Sequence, residues 1–164
     1  MDPNEKQLFH GASADSVTKI LRQGFNRNYA GAHGCSFGMG VYFANNASYS
    51  VNYALPDEQG VQRMFLCDVL VGEAAVGRPG LRAPPPRAGG ADPHELCDST
   101  VDNAARPSIF VCYHDDQVPA ASLPRKPAAR YEAAPIVGGV CRRRRMDHGV
   151  RAIAELSRGG GGGV

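Results

Sequence analysis

The sequence predicts an α+β fold class, because segments with strand patterns and segments with helix patterns alternate along its first 123 residues. Three observations support this: short apolar runs rich in β-branched and aromatic residues, one amphipathic segment with a cap and a stop, and glycine-rich connections between them. Strands are predicted at residues 7–10, 41–43, 63–71 and 107–113, and a helix at residues 13–23.

The first strand is the Gln-Leu-Phe-His run that ends at Gly11. Either Ser13 or Asp15 is a suitable N-cap for the helix that follows, and Gly24 is a suitable C-terminal stop. Residues 17, 20 and 21 of this helix are apolar at a spacing that places them on one face. Phe25 is then predicted to return to the core.

Residues 38–54 form the central block of the chain. Two glycines precede a buried Val-Tyr-Phe strand, and Asn45 or Asn46 caps a short helix that carries Ser50 and Tyr53 on one face. Tyr49 is predicted to point off that face. Tyr42, Tyr53 and a hydroxyl would suit a flat polar ring, although packing in the core is the default for aromatic residues.

Two domains of different character are predicted, a folded unit over residues 1–123 and an Arg/Gly-rich tail over residues 124–164. The first 124 residues carry a net charge of −4 and the last 40 carry +6. The acidic body argues against a nucleic-acid groove. The tail contains four consecutive arginines and five consecutive glycines, which predicts disorder, with a nuclear localisation signal as the alternative reading of the arginines.

Several other classes of protein are disfavoured. Five scattered cysteines without a Cys-x-x-Cys pair predict reduced thiols in a cytoplasmic or nuclear protein, and the histidines lack metal-ligand spacing. The sequence shows no signal peptide and no membrane span. A G-x-S-x-G pattern at residues 34–38 lacks the strand before it and the helix after it that a nucleophile elbow needs.

Four motifs in order resemble the catalytic domain of the poly(ADP-ribose) polymerase superfamily, the diphtheria-toxin-like ADP-ribosyltransferases. They are the Leu-Phe-His-Gly run at residues 8–11, the Asn-Tyr-Ala-Gly loop at residues 28–31, the block at residues 38–53 and the strand at residues 107–117. The mono-ADP-ribosylating branch is the most similar. The resemblance implies a split antiparallel β-sandwich with flanking helices, shortened at both ends.

The resemblance also implies the ligand and the site. NAD would be the co-substrate, with no prosthetic group and no metal, and single ADP-ribose units would pass to protein acceptors, including the protein itself. His10 would bind the adenosine-side ribose, Gly11 and Ser50 the nicotinamide carboxamide, and Tyr42 and Tyr53 the two faces of its ring. Residues 26–38 would form the loop over the donor site. An inactive NAD- or ADP-ribose-binding module is the alternative.

The third signature position of the family falls on Ile109, where polymerising members have a glutamate. Isoleucine cannot accept a hydrogen bond from the nicotinamide ribose or polarise an acceptor hydroxyl. The mono-transferring branch shares this absence, so the resemblance implies single-unit transfer with His10, Tyr42 and Ile109 at the catalytic positions.

Overall fold

A computed structural model describes residues 4–30, 34–90, 92–118 and 152–157. The strands in this part of the chain are β1 Glu5–Ala12, β2 Val41–Ala44, β3 Val61–Leu70, β4 Ala74–Val76, β5 Ser99–Val101, β6 Ile109–Cys112 and β7 Ala152–Ser157. The α-helices are α1 Ala14–Gln23 and α2 Ala47–Ser50, and 3₁₀ turns cover Arg27–Tyr29, Val51–Tyr53 and Asp115–Gln117. None of the described helices has the length and apolar character that crossing a bilayer demands.

The strands join in the order β4-β5-β6-β2-β1-β3-β7, and all neighbours are antiparallel except β4 and β5. Strand β1 pairs with β3 along its whole length, from Glu5 to Ala12. It pairs with β2 only where Phe9 lies opposite Ala44. The sheet is therefore split between β1 and β2, and the two strands separate beyond Phe9 towards the end that carries His10 and Gly11.

One hydrophobic core lies between α1 and the sheet. Leu8, Phe43 and Phe65 come from three strands, and Val17 and Ile20 come from α1. Complete burial of a leucine or phenylalanine side chain stabilises the fold by about 1.5–3 kcal/mol. The three strand residues are at most 1% exposed, and together with Val17 and Ile20 they belong to one cluster that includes residues from both halves of the split sheet.

Helix α1 begins and ends at residues that the sequence predicted as its caps. Ser13, not Asp15, is the N-cap, and its side chain accepts a hydrogen bond from the Ser16 amide at 3.3 Å. Gly24 ends the helix at φ 81°, a left-handed conformation that glycine adopts without a steric penalty. The next residue, Phe25, is buried as predicted.

Buried polar groups fix the far end of the sheet. The Gln117 side chain accepts hydrogen bonds from the Tyr113 and His114 amides and donates to the Leu70 and Asp98 carbonyls. In the loop at residues 77–93, the Arg87 guanidinium contacts Asp98 at 3.2 Å. The described residues of this loop form no regular strand, and the Arg87 contact ties the loop to the sheet.

Three parts of the sequence analysis need correction or limitation. Strand β5 Ser99–Val101 pairs with β6, and neither β5 nor β4 was predicted. The disorder predicted for residues 124–164 does not hold at Ala152–Ser157, which pairs with β3. The remainder of that tail lies outside the described residues.

Candidate active site

A cleft of about 370 Å³ opens at the split between β1 and β2. Its walls come from the end of β1, from α1, from β2 and from the segment that runs from α2 into the following 3₁₀ turn. Five of the residues predicted from the sequence line it together: His10, Gly11, Tyr42, Ser50 and Tyr53.

His10 is a neutral imidazole with a defined tautomer. Its Nδ1 lies 2.8 Å from the Tyr42 carbonyl oxygen, which can only accept, so Nδ1 carries the proton. Burial lowers the pKa of His10, and the hydrogen bond to Tyr42 opposes this only in part. The Phe25 ring and the imidazole pack in an edge-to-face arrangement at a centroid distance of 4.9 Å. The Nε2 lone pair is therefore left as a hydrogen-bond acceptor.

Gly11 and Ser50 form a close backbone junction. The Ser50 hydroxyl donates its single proton to the Phe9 carbonyl oxygen at 3.0 Å. The Phe9 carbonyl therefore faces α2. The backbone groups of Gly11, two residues further along β1, face the same side. A Cβ at Gly11 would overlap the Ser50 carbonyl oxygen, so only glycine permits this approach. The junction thus offers a backbone amide next to a hydroxyl oxygen with free lone pairs.

Tyr42 is held by the turn that precedes its own strand. Its hydroxyl accepts from the Phe37 amide at 3.0 Å and donates to the Gly38 carbonyl at 2.8 Å. Partial burial raises the pKa of the Tyr42 hydroxyl, more than its hydrogen bond from Phe37 lowers it. The ring is therefore an uncharged wall of the cleft.

The predicted orientation of Tyr49 is wrong. Tyr49 lines the cleft together with Tyr53, and the Tyr53 hydroxyl donates to the Tyr49 hydroxyl at 3.1 Å. Their ring centroids lie 5.4 Å apart. Residues four apart share a helix face, so the spacing that was applied to Ser50 and Tyr53 should also have been applied to this pair. Burial is the main cause that raises the pKa of the Tyr49 hydroxyl.

Ile109 does not join these residues in the cleft. It lies opposite Ala44 on β6 and is 7% exposed. Among the described residues that line the cleft, none is an aspartate or a glutamate. The only cationic side chain among those residues is Lys19 of α1. The described lining of the cleft therefore supplies no negatively charged side chain to a bound ligand.

One face of α1 also contributes to the cleft, and the sequence analysis did not identify it. Ser16, Lys19 and Gln23 line the wall, with Tyr29 beyond them. Their spacing of three and four residues was a readable signal of a shared helix face. The apolar residues of the same helix form the more prominent pattern.

Two negative predictions can be compared with the described residues. In the G-x-S-x-G segment, Ser36 lies in a turn that leads into β2, and no helix follows it. In the described part of the chain, no cluster of three or more His, Cys, Asp or Glu residues could hold a metal ion.

Comparison with known proteins gives a consistent result. The family described as the poly(ADP-ribose) polymerase catalytic domain matches residues 1–86. The chain is 44% identical over 116 residues to protein mono-ADP-ribosyltransferase PARP14 of Homo sapiens, and 43% identical over 117 residues to protein mono-ADP-ribosyltransferase PARP10 of Mus musculus. Over 115 residues it is 43% identical to protein mono-ADP-ribosyltransferase PARP12 of Homo sapiens.

Each of these alignments covers 70% of this chain. The chain spans only 6%, 12% and 16% of the three relatives' lengths, respectively. The similarity therefore concerns one domain of much larger proteins.

Proposed function

The chain belongs to the poly(ADP-ribose) polymerase catalytic domain family, and from this premise we propose that it is a protein mono-ADP-ribosyltransferase. It would transfer one ADP-ribose from NAD to a protein side chain and release nicotinamide. The observation that carries the proposal is the convergence of His10, Gly11, Tyr42, Ser50 and Tyr53 on one cleft at the split in the sheet.

The nicotinamide end of NAD fits the polar groups of the Gly11 and Ser50 junction. The carboxamide oxygen would accept from the Gly11 amide, and the carboxamide NH₂ would donate to the Ser50 oxygen, whose proton already goes to Phe9. The rings of Tyr42 and Tyr53 would face the pyridinium. Each aromatic stack contributes about 0.5–1.5 kcal/mol beyond the burial of area.

His10 would act on the sugar of the adenosine. Since its Nε2 is an acceptor, a ribose hydroxyl can donate to it without any change of protonation. This contact positions the donor and moves no proton. Tyr49, through its hydroxyl contact with Tyr53, would hold the second aromatic wall in place.

The reaction then depends mainly on positioning. The bond between C1′ of the ribose and the pyridinium nitrogen breaks, and its electron pair leaves with nicotinamide, which departs neutral. A nucleophilic side chain of the acceptor forms the new bond to C1′. The transition state resembles an oxocarbenium ion, as in glycoside cleavage. Orientation of the two partners and exclusion of water supply the acceleration.

The lack of a carboxylate in the described cleft lining favours single-unit transfer. An acidic acceptor residue would bring the charge that stabilises the cationic ribose. The same observation favours the second candidate, an inactive relative that binds NAD or ADP-ribose without transfer.

Acceptor proteins, self-modification, and a cytoplasmic or nuclear location belong to this proposal. The four described cysteines are free thiols, in keeping with a reducing compartment.

Incubation with NAD labelled in the adenosine separates the two candidates. A transferase attaches one ADP-ribose per site to protein and releases an equal amount of nicotinamide. A binding module saturates with NAD and transfers no label. Ser50→Ala should weaken binding of the nicotinamide end by about fivefold, the equivalent of one hydrogen bond, whereas Ser48→Ala, at an exposed position on the same short helix, should not. Equal losses in both variants would contradict the assignment of the carboxamide site.

A further inference from the structure

Two buried hydroxyl groups lie behind the cleft and do not contact it. Thr100 on β5 and Tyr113 just after β6 are both fully buried, and their hydroxyl oxygens lie 2.9 Å apart. The Thr100 hydroxyl donates to the Phe37 carbonyl at 2.7 Å. Since that proton is used, Tyr113 donates to Thr100, and the Tyr113 hydroxyl also lies 3.4 Å from the Phe37 carbonyl. The bonds thus run in one direction, from Tyr113 through Thr100 to Phe37, and bonds in such a chain strengthen one another.

The turn at Phe37 and Gly38 also holds Tyr42. The Phe37 amide donates to the Tyr42 hydroxyl, and that hydroxyl donates to the Gly38 carbonyl. Gly38 has φ 134°, and a Cβ there would overlap the Tyr113 hydroxyl. The turn is therefore fixed by Thr100 and Tyr113 from the core and connects them directly to an aromatic wall of the cleft.

We propose that Thr100 and Tyr113 are positioning residues that set the orientation of the Tyr42 ring through the Phe37–Gly38 turn, and hence the affinity for the nicotinamide group. The inference rests on the proposed function, because the readout is binding at the nicotinamide end of the cleft. Its structural part, the coupling of a core hydroxyl to the turn, does not depend on that function.

The first test is Thr100→Val, which keeps the side-chain shape and removes the hydroxyl. The hydrogen-bond relay, which we define as the bonds from Tyr113 through Thr100 to Phe37, is then broken. The Phe37 carbonyl no longer accepts a hydrogen bond from Thr100. We expect the Kd for nicotinamide to rise about fivefold, the equivalent of one hydrogen bond, with a parallel rise in KM for NAD and a smaller change in kcat. Thr100→Ser, which keeps the hydroxyl, should restore binding.

The matched control is Ser99→Ala on the same strand. Ser99 is also fully buried, and its hydroxyl donates to the Val71 carbonyl at 2.8 Å, away from the turn. This variant loses a buried hydroxyl and should lose comparable stability while nicotinamide binding is unchanged. If Ser99→Ala weakens binding as much as Thr100→Val, the effect is general destabilisation and the proposal is wrong.

A double-mutant cycle supplies an independent check. Tyr113→Phe alone should weaken binding less than Thr100→Val, and the two effects should not add, because both hydroxyls contact each other and the Phe37 carbonyl. Additive effects would contradict a single relay. If Thr100→Val fails to fold, Tyr113→Phe still decides the question, because it should weaken nicotinamide binding whereas Ser99→Ala should not.

Hydrogen exchange separates this proposal from the proposed function. The Phe37 amide should exchange faster in Thr100→Val than in the parent protein and in Ser99→Ala, with or without nicotinamide. Unchanged protection of that amide overturns the relay. If the Phe37 amide exchanges faster in Thr100→Val but the parent protein does not bind nicotinamide, the result supports the hydrogen-bonded coupling and rejects the proposed function.

Discussion

Gly11→Ala tests the junction between β1 and α2, on which the candidate site depends. A Cβ at this position would overlap the Ser50 carbonyl oxygen and would lie 2.9 Å from the Ser50 carbonyl carbon and 3.0 Å from the Ala54 amide nitrogen. All three are backbone atoms, so no side chain can rotate away. Overpacking of a rigid contact costs about 1–3 kcal/mol. A loss of about 2 kcal/mol lowers Tm by roughly 6–10 °C in a domain of this size.

The separation of β1 from α2 should also move the Ser50 oxygen away from the Gly11 amide. We therefore expect nicotinamide binding, measured by calorimetry below the lowered Tm, to be lost along with stability. Gly90→Ala is the control, because its Cβ would meet only ordinary contacts at 3.5 Å and beyond. A Gly11→Ala protein with the parent's Tm and affinity would refute the close approach and the site built on it.

Three further predictions concern the aromatic walls of the cleft, the family's third signature position at Ile109, and His10. Tyr53→Ala should weaken nicotinamide binding by roughly 2- to 13-fold in a titration, the range of one aromatic stack, and Tyr49→Phe should weaken it less; an inert Tyr53→Ala would exclude stacking. Ile109→Glu should lower the free energy of unfolding by roughly 2–4 kcal/mol, because the new carboxylate enters an apolar strand. The Asp102 carboxylate, which accepts a hydrogen bond from the backbone amide of residue 109 at 3.0 Å, is a second negative charge nearby. The products of this variant on a gel should remain single units, and a ladder of long chains would contradict our account of acceptor binding. Because burial lowers the pKa of His10, the unfolded chain binds a proton that the folded chain does not, and stability should fall as the pH drops below about 6.5. Urea midpoints at about pH 5 and pH 7.5 should differ less in His10→Gln than in the parent, and equal differences would contradict a partly buried neutral imidazole.

The sequence was informative wherever a local rule determined the structure. Ser13 and Gly24 bound α1 because capping depends on neighbouring backbone groups alone. Asn46 caps α2 for the same reason, its side chain accepting from the Ser48 amide at 2.9 Å. The identities of the cleft residues came from the family resemblance, and the structure brings five of them together.

The missed features depend on contacts distant in sequence. Strand β4 is three residues long and pairs in parallel with β5, so little in its own sequence marks it as a strand. The relay from Tyr113 to Phe37 joins residues 76 positions apart, and no spacing rule reaches that far. Tyr49 is a different case, because its helix spacing to Tyr53 was readable and was not applied.

The central claim is that the split between β1 and β2 is the donor site for NAD. Titration of ¹⁵N-labelled protein with NAD tests it most directly, because each backbone amide reports its own environment. We expect saturable chemical-shift changes at His10, Gly11, Ser50 and Tyr53, and none in the loop around Arg87, which does not line the cleft. Saturable changes that centre on that loop, or no saturable change at all, would contradict the claim.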